Sequence, residues 1–158
     1  KPSYIRIEAD ELTYPLHIMV RYELEKALIA GDIKVKDLPE LWNDKMEEYV
    51  GIRPRNDAEG VLQDVHWAGG SFGYFPSYAL GYMYAAQFYN RMEQDIDFDK
   101  VIRAGDFTGI KEWLTKNIHQ YGSMKKPLEI LNEVTGEKLN PDYLVQYLTK
   151  KYSKIYQF

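Results

Sequence analysis

The feature that most constrains the fold of this chain is a run of apolar residues with helical spacing. The run lies between a residue that can start a helix and one that can end it. From residue 11 to residue 30, apolar side chains recur every three or four positions, which places them on one face of a helix. These side chains are Leu12, Leu16, Met19, Val20, Leu24, Ala27 and Leu28. Asp10 is suited to cap the start of the helix, and Gly31 is suited to end it. The sequence therefore predicts a long amphipathic helix over residues 11–30.

The same combination of apolar spacing and helix-bounding residues recurs along the rest of the chain. Asp and Pro introduce most of these segments and Gly ends them, as is typical of helices. The further predicted helices cover residues 38–50, 76–93, 97–104, 106–119, 127–134 and 140–156. Residues 5–7 alternate like a strand but are too few to decide. The length of 158 residues is that of one ordinary domain.

The composition argues against several classes of function. The net charge is -4, and the basic residues are scattered among acidic ones, so that no basic stripe is available for nucleic acid. No apolar run approaches the length of a membrane span. The chain has no cysteine, which excludes disulfide frameworks and thiolate zinc sites and favours a reducing, cytoplasmic setting. We therefore expect neither nucleic acid nor a membrane as a partner.

Residues 51–70 interrupt the helical spacing and contain the most distinctive polar sequence. Proline, glycine and an Asn-Asp pair predict a loop here, which ends in GVLQDVHW and a double glycine. Gln63 and Asp64 are close enough in sequence to orient the imidazole of His66, and the glycines would let the backbone approach a ligand. A single histidine is nevertheless more often buried or capping than functional. On these residues alone, His66 is a candidate site residue.

Tyr74 and Tyr78 follow this loop and lie four residues apart, so they would share one face of a helix. A phenol at this position could donate a hydrogen bond to a developing oxyanion, although a tyrosine stripe is more often part of a core or an interface. The spacing does not distinguish between the two tyrosines. The three histidines of the chain share no ligand spacing, so no metal site is indicated.

Arg6, in the segment IRIEAD, is a candidate for binding a carboxylate. Its guanidinium fork can hold a carboxylate through two parallel hydrogen bonds, a geometry that lysine does not reproduce. The alternative is a partly buried ion pair with Glu8 or Asp10, and composition alone favours that alternative. Arg53 and Arg55 in the loop are further candidates for the same role, for which a solvated loop charge is the simpler explanation.

Two long motifs resemble signatures of the thermostable carboxypeptidase Taq family of metallocarboxypeptidases. IRIEAD matches I-R-x-x-A-D and GVLQDVHW matches G-x-x-Q-D-x-H-W, in the order that the family has them. FPSYALGYMYAAQ is similar to the continuation, and the likeness extends over essentially all 158 residues. The family's H-E-x-x-H metal helix and downstream glutamate precede I-R-x-x-A-D and do not occur in this chain. The resemblance therefore implies the C-terminal part of a catalytic domain without its metal-binding half.

The resemblance also implies a fold and an activity. The fold is all-α, with residues 1–158 as a single helical region that forms half of a zincin-like metallopeptidase domain with a long cleft. The full-length parent would use a divalent metal, zinc or cobalt, to release C-terminal amino acids from peptides, and would be a homodimer. The chain alone is expected to be inactive. The alternatives are a helical module that binds a peptide terminus without cutting it, and a relative that has lost the metal motif.

The resemblance gives the candidate residues separate roles. His66 and Tyr78 would donate hydrogen bonds to the tetrahedral oxyanion, and Tyr78 is preferred to Tyr74 by analogy with the tyrosine run of thimet-type oligopeptidases. Arg6 would bind the terminal carboxylate of the substrate, with Tyr74 and Arg53 as further substrate-binding residues. The residues that would support them are Gln63, Asp64 and Asp10.

Overall fold

The computed structural model describes residues 1–157, and all regular secondary structure within them is helical. The α-helices are α1 (Tyr14–Ala30), α2 (Leu38–Val50), α3 (Pro76–Met92), α4 (Phe98–Ala104), α5 (Thr108–Asn117), α6 (Pro127–Thr135) and α7 (Asp142–Tyr156). Short 3-10 turns cover Arg6–Glu8, Val35–Asp37 and His119–Tyr121. The all-α fold is confirmed, and no helix of residues 1–157 is long and apolar enough to cross a membrane.

The first helix starts later than its apolar spacing predicts. Oδ1 of Asp10 accepts hydrogen bonds from the backbone N–H groups of Leu12 (3.0 Å) and Thr13 (2.8 Å), which forms a separate turn before α1. The helix ends at Gly31, whose φ of 78° lies in the left-handed region that glycine adopts without strain. The prediction of Gly31 as the end of the helix is thus correct, whereas the prediction that Asp10 caps its start is wrong. Asp10 caps the turn before α1, and Thr13 directly precedes the helix.

Residues 1–80 form one of two compact units. Its core lies where α1 packs against α2, and it consists of Val20, Leu24, Leu38, Trp42, Met46 and Val50. Residues 51–75 contain no helix, as predicted for residues 51–70, and connect α2 to α3. Val61 and Trp67 of this connection pack against the core. The long loop is therefore held against helices at several points along its length.

Residues from Gly81 onward form the second compact unit. Leu131 is fully buried here, and Gln87 is almost so. The side-chain amide of Gln87 donates a hydrogen bond to the carbonyl of Lys138 (3.1 Å) and accepts one from the backbone N–H of Asn140 (3.0 Å). This pair of bonds fixes the segment between α6 and α7. The single helical region over residues 1–158 stays a prediction.

His17 of α1 makes the stability of the fold depend on pH. The imidazole is fully buried, and Nε2 lies 3.1 Å from the backbone carbonyl oxygen of Ser3, to which it donates a hydrogen bond. Nδ1 is buried without a hydrogen-bond partner within residues 1–157. Burial, and then the charge of nearby Arg21, lower the pKa of His17 from 6.5 to about 4. The folded protein therefore keeps His17 neutral at pH values where the unfolded chain protonates it.

We expect acidification to destabilise the protein partly through His17. Between pH 6.5 and about pH 4 the unfolded state binds a proton that the folded state does not, so the stability that is present above this window falls as the pH falls. Replacing His17→Gln should remove up to about 1.4 kcal/mol per pH unit of that dependence. Urea unfolding of both proteins from about pH 7 to about pH 4.5 measures the difference. Equal slopes would show that His17 does not cause the effect.

Candidate active site

Helix α1 presents a row of buried polar side chains to the loop that follows α2. His17, Arg21 and Glu25 lie four residues apart and so share one face of the helix. They are 0%, 0% and 7% exposed. Because charged side chains are rarely buried unless they are paired, this face needs partners from the rest of the unit.

Arg21 connects α1 to the end of the loop. Its Nε donates a hydrogen bond to Oδ2 of Asp64 (2.5 Å), and Nη2 donates one to Oε1 of Gln63 (2.8 Å). Nη1 donates to the backbone carbonyl of His17 one turn earlier (2.7 Å). The guanidinium carbon lies 4.6 Å from the ring centroid of Trp42, within the range of a cation–π contact. Arg21 thus ties the Gln-Asp pair of the second motif to the helix.

Glu25 holds the glycine-rich turn that follows His66. Its carboxylate accepts a hydrogen bond from Nε1 of Trp67 (2.7 Å) and another from the backbone N–H of Gly73. Gly70 and Gly73 have φ values of 77° and 75°, in the left-handed region that favours glycine. The glycines therefore let the chain fold back, and Glu25 fixes the two sides of the resulting turn.

Arg6 uses its guanidinium fork within the chain. Nη2 donates a hydrogen bond to Oδ1 of Asp64 (2.6 Å), Nε lies 3.2 Å from both oxygens of the same carboxylate, and Nη1 donates to the hydroxyl of Tyr14. The backbone N–H of Arg6 donates to Oε1 of Gln63 (2.8 Å). Arg6 is 5% exposed. The buried ion pair that composition favoured is present, but its partner lies in the loop and not among the acidic residues next in sequence.

Asp64 is shared by two arginines. Burial alone would raise the pKa of its carboxyl group, but the hydrogen bonds and charges of Arg6 and Arg21 outweigh burial and lower the pKa below its ordinary value. The carboxylate is therefore ionised at neutral pH. Two guanidinium groups and one carboxylate carry a net charge of about +1 in this cluster.

His66 and Tyr78 contact each other where the loop meets α3. Nε2 of His66 lies 3.0 Å from the hydroxyl of Tyr78, so one group donates a hydrogen bond to the other. The imidazole packs on the ring of Phe75 (4.4 Å between centroids) and stacks with that of Tyr74 (5.9 Å). Nδ1 has no hydrogen-bond partner within residues 1–157 and lies 3.8 Å from Oδ1 of Asp64. Packing therefore fixes the imidazole beside a carboxylate and two phenols.

The structure brings most of the candidate residues together but leaves two elsewhere. The residues in mutual contact are Arg6, Gln63, Asp64, His66, Tyr74 and Tyr78. Arg53 instead forms ion pairs with α2, through Glu40, Asp44 (2.8 Å) and Glu47 (3.1 Å). Asp10 caps the turn before α1.

Three residues of this cluster were not among the candidates from the sequence, namely Arg21, Glu25 and Tyr14. The four-residue spacing of His17, Arg21 and Glu25 was a usable signal, since such residues share one helix face. It was hidden because the apolar residues of α1 alone satisfied the helical pattern. No spacing in the sequence indicates that the hydroxyl of Tyr14 contacts Arg6.

The cluster does not fit a metal ion. No group of three or more His, Asp or Glu side chains that could hold one occurs in the part of the chain that the structure describes. The carboxylate nearest in sequence to His66, that of Asp64, is already bound by two guanidinium groups. The residues of this site can therefore act through hydrogen bonds and charge.

Comparison with known proteins identifies relatives of nearly the whole chain. The family model described as carboxypeptidase Taq (M32) metallopeptidase matches residues 1–152. Carboxypeptidase 1 of Bacillus subtilis is 60% identical over 157 residues, and thermostable carboxypeptidase 1 of Pyrococcus furiosus is 46% identical over 153 residues. These alignments cover 99% and 96% of this chain, and 31% of each relative.

A solved structure supports the same relationship. The carboxypeptidase of this type from Deinococcus radiodurans superposes with a TM-score of 0.96 at 36% identity, covering 100% of this chain and 32% of that one. The chain thus spans about a third of the length of the relatives that it matches. Both sequence motifs and the cluster around Asp64 lie within the residues that the family model matches. The chain belongs to the carboxypeptidase Taq (M32) metallopeptidase family.

Proposed function

We propose that this chain is part of a metal-dependent carboxypeptidase that releases C-terminal amino acids from peptides. The observation that carries the proposal is the His66–Tyr78 pair beside the positively charged cluster of Arg6, Asp64 and Arg21. Such a site offers hydrogen-bond donors for the carbonyl oxygen of the substrate, which becomes negative during the reaction. It also offers a positive charge for the C-terminal carboxylate of the substrate. The divalent metal, zinc or cobalt, would be held by the rest of the protein.

In this proposal His66 and Tyr78 stabilise the oxyanion that forms when the peptide carbonyl is attacked. Nε2 of His66 and the hydroxyl of Tyr78 are 3.0 Å apart and share one hydrogen bond. A carbonyl oxygen that displaces this bond could accept a hydrogen bond from each group. Packing of the imidazole on Phe75 limits its rotation before substrate binds. Donors that are fixed in advance stabilise the transition state without a reorganisation cost.

Arg6 is the residue to which we assign the C-terminal carboxylate of the substrate. Three of its N–H groups bind Asp64 and Tyr14, and a guanidinium carries five, which leaves donors for a ligand. Tyr74 is 51% exposed and stacks with His66, so it can contact the same substrate residue. Arg53 is paired with three carboxylates of α2, and for this reason we prefer Arg6.

The rest of the proposal concerns the whole protein. Residues 1–158 would form one helical half of a zincin-like catalytic domain with a long cleft, in a cytoplasmic homodimer. The share of 31% of each relative supports a chain that is part of a longer protein, and the absence of cysteine supports the cytoplasmic setting. A second candidate function is a module that binds peptide termini without cutting them. The lack of a metal-ligand group within residues 1–157 favours that candidate for the chain by itself.

The isolated chain should have no carboxypeptidase activity. Because the described residues contain no group that could hold a metal, adding zinc or cobalt to the chain should not produce activity. Release of amino acids from a short peptide, measured with and without each metal, tests this expectation. Activity that depends on metal in the isolated chain would show that the site is complete within it.

Removing either oxyanion donor should lower turnover in a full-length carboxypeptidase that contains this chain. We expect His66→Ala and Tyr78→Phe each to lower kcat about a hundredfold with little change in KM, because these donors act mainly in the transition state. Tyr22→Phe, at a half-exposed tyrosine of α1, is the matched control. Equal effects of Tyr78→Phe and Tyr22→Phe would contradict the assignment.

Removing the guanidinium of Arg6 should weaken substrate binding in the same full-length protein. We expect Arg6→Gln to raise KM for a peptide with a free C-terminus at least about tenfold, the size of one hydrogen bond between charged groups. Arg91→Gln is the control, since Arg91 pairs with Asp95 (2.9 Å) at a partly exposed position. An unchanged KM in Arg6→Gln would sink the carboxylate role of Arg6.

A further inference from the structure

We propose that Arg21, which no substrate can touch, determines the preference of the site for a carboxylate by sharing Asp64 with Arg6. The inference rests on the proposed function, in which Arg6 binds the C-terminal carboxylate. Arg21 is a positioning residue in this scheme. It acts on Arg6 through Asp64 and Gln63.

The first route from Arg21 to Arg6 is the charge of Asp64. Nε of Arg21 donates a hydrogen bond to Oδ2 of Asp64 (2.5 Å), and Nη2 of Arg6 donates one to Oδ1 of the same carboxylate (2.6 Å). Each arginine therefore has one oxygen as its closest partner. Without Arg21, the carboxylate would pair with Arg6 alone, and the two side chains together would be neutral. A neutral pair attracts a second carboxylate far less than a cluster with one unbalanced positive charge.

The second route is the backbone of Arg6. Oε1 of Gln63 accepts hydrogen bonds from Nη2 of Arg21 and from the backbone N–H of Arg6, both at 2.8 Å. The amide nitrogen of Gln63 donates to the carbonyls of Tyr4 (2.9 Å) and Glu59 (2.8 Å). All four bonds fix the orientation of this amide. Arg21 consequently helps to hold the 3-10 turn from which the side chain of Arg6 projects.

The one unbalanced positive charge of the Arg6, Asp64 and Arg21 cluster, here called its surplus charge, lies where water screens it poorly. Arg21 and Arg6 are 0% and 5% exposed, so the electrostatic attraction of this cluster is stronger than that of a surface arginine. The other titratable side chains on this face of α1 are His17 and Glu25, and neither forms an ion pair with Arg21 in the part of the chain that the structure describes. His17 is neutral at neutral pH, because its pKa is about 4, and the carboxylate of Glu25 binds the N–H groups of Trp67 and Gly73.

A purely structural role for Arg21 is the competing explanation. Its guanidinium packs on Trp42, a fully buried residue of the core, so any substitution will also disturb packing. The two explanations differ in what they predict for ligands. Loosened packing should weaken the binding of all ligands, whereas loss of the surplus charge should weaken the binding of carboxylates in particular.

The experiment compares two competitive inhibitors of a full-length carboxypeptidase that contains this chain. One is an N-acylated amino acid with a free carboxylate, and the other is its primary amide. We expect the wild type to prefer the acid, and Arg21→Gln and Arg21→Met to lower the ratio of the two inhibition constants about tenfold. Arg21→Lys keeps the charge and should stay within about threefold of the wild-type ratio. A folded variant with a neutral residue at position 21 that still discriminates between the acid and the amide as the wild type does would overturn the inference.

A further variant keeps the inference testable if the neutral Arg21 variants do not fold. Trp42→Phe disturbs the packing of Arg21 without changing charge, so its ratio should match the wild type although its stability falls. A tenfold loss of preference in Trp42→Phe would instead indicate that geometry, and not charge, governs the ratio.

The same measurements separate this inference from the proposed function. If the wild type does not discriminate between acid and amide, or if Arg6→Gln leaves the discrimination unchanged, the carboxylate role of Arg6 fails and the inference fails with it. If Arg6→Gln abolishes the discrimination but neutral variants of Arg21 retain it, only the inference fails.

Discussion

The carboxylate of Asp64, held between the guanidinium groups of Arg6 and Arg21, is the interaction on which the rest of the site depends. It joins three separate parts of the chain, which are the N-terminal turn, helix α1 and the end of the long loop. All three side chains are largely removed from water, so the loss of Asp64 would leave two buried guanidinium groups without their charged partner, at a cost of about 3–5 kcal/mol. The ion pairs therefore fix the position of the loop, and with it the position of His66.

Aromatic rings help to make an excess of buried positive charge tolerable. The guanidinium carbon of Arg21 lies 4.6 Å from the ring centroid of Trp42, and that of Arg6 lies 5.0 Å from the ring of Tyr78. Phe75 lies within 6 Å of both guanidinium groups and also packs on His66. The negative faces of these rings partly replace the water that the cations have lost. Two of the aromatic residues around the start of α3, Phe75 and Tyr78, therefore stabilise the buried arginines.

Much of the fold follows from local sequence, whereas most of the site does not. Gly31 and Pro76 mark helix ends because backbone geometry at these positions is decided by the residue itself. The Arg6–Asp64 pair joins positions 58 residues apart, and nothing local identifies that partner. The partnership of His66 with Tyr78 could be predicted only through resemblance to a family. Arg21 lies within a helix whose apolar residues already satisfied the expected pattern, so its role required knowledge of which helix face the loop covers.

The candidate site is organised entirely within the first of the two compact units. Within residues 1–157, the hydrogen bonds of the Arg6, Asp64 and His66 side chains are made with one another or with Tyr14, Arg21 and Tyr78, all of which lie in this unit. Its geometry is therefore set by the packing of α1, α2, the long loop and the start of α3. In the proposed reaction, this packing holds the donors close to the positions in which they act. Substrate has only to displace the hydrogen bond between His66 and Tyr78 and to use donors of Arg6 that its partners leave open.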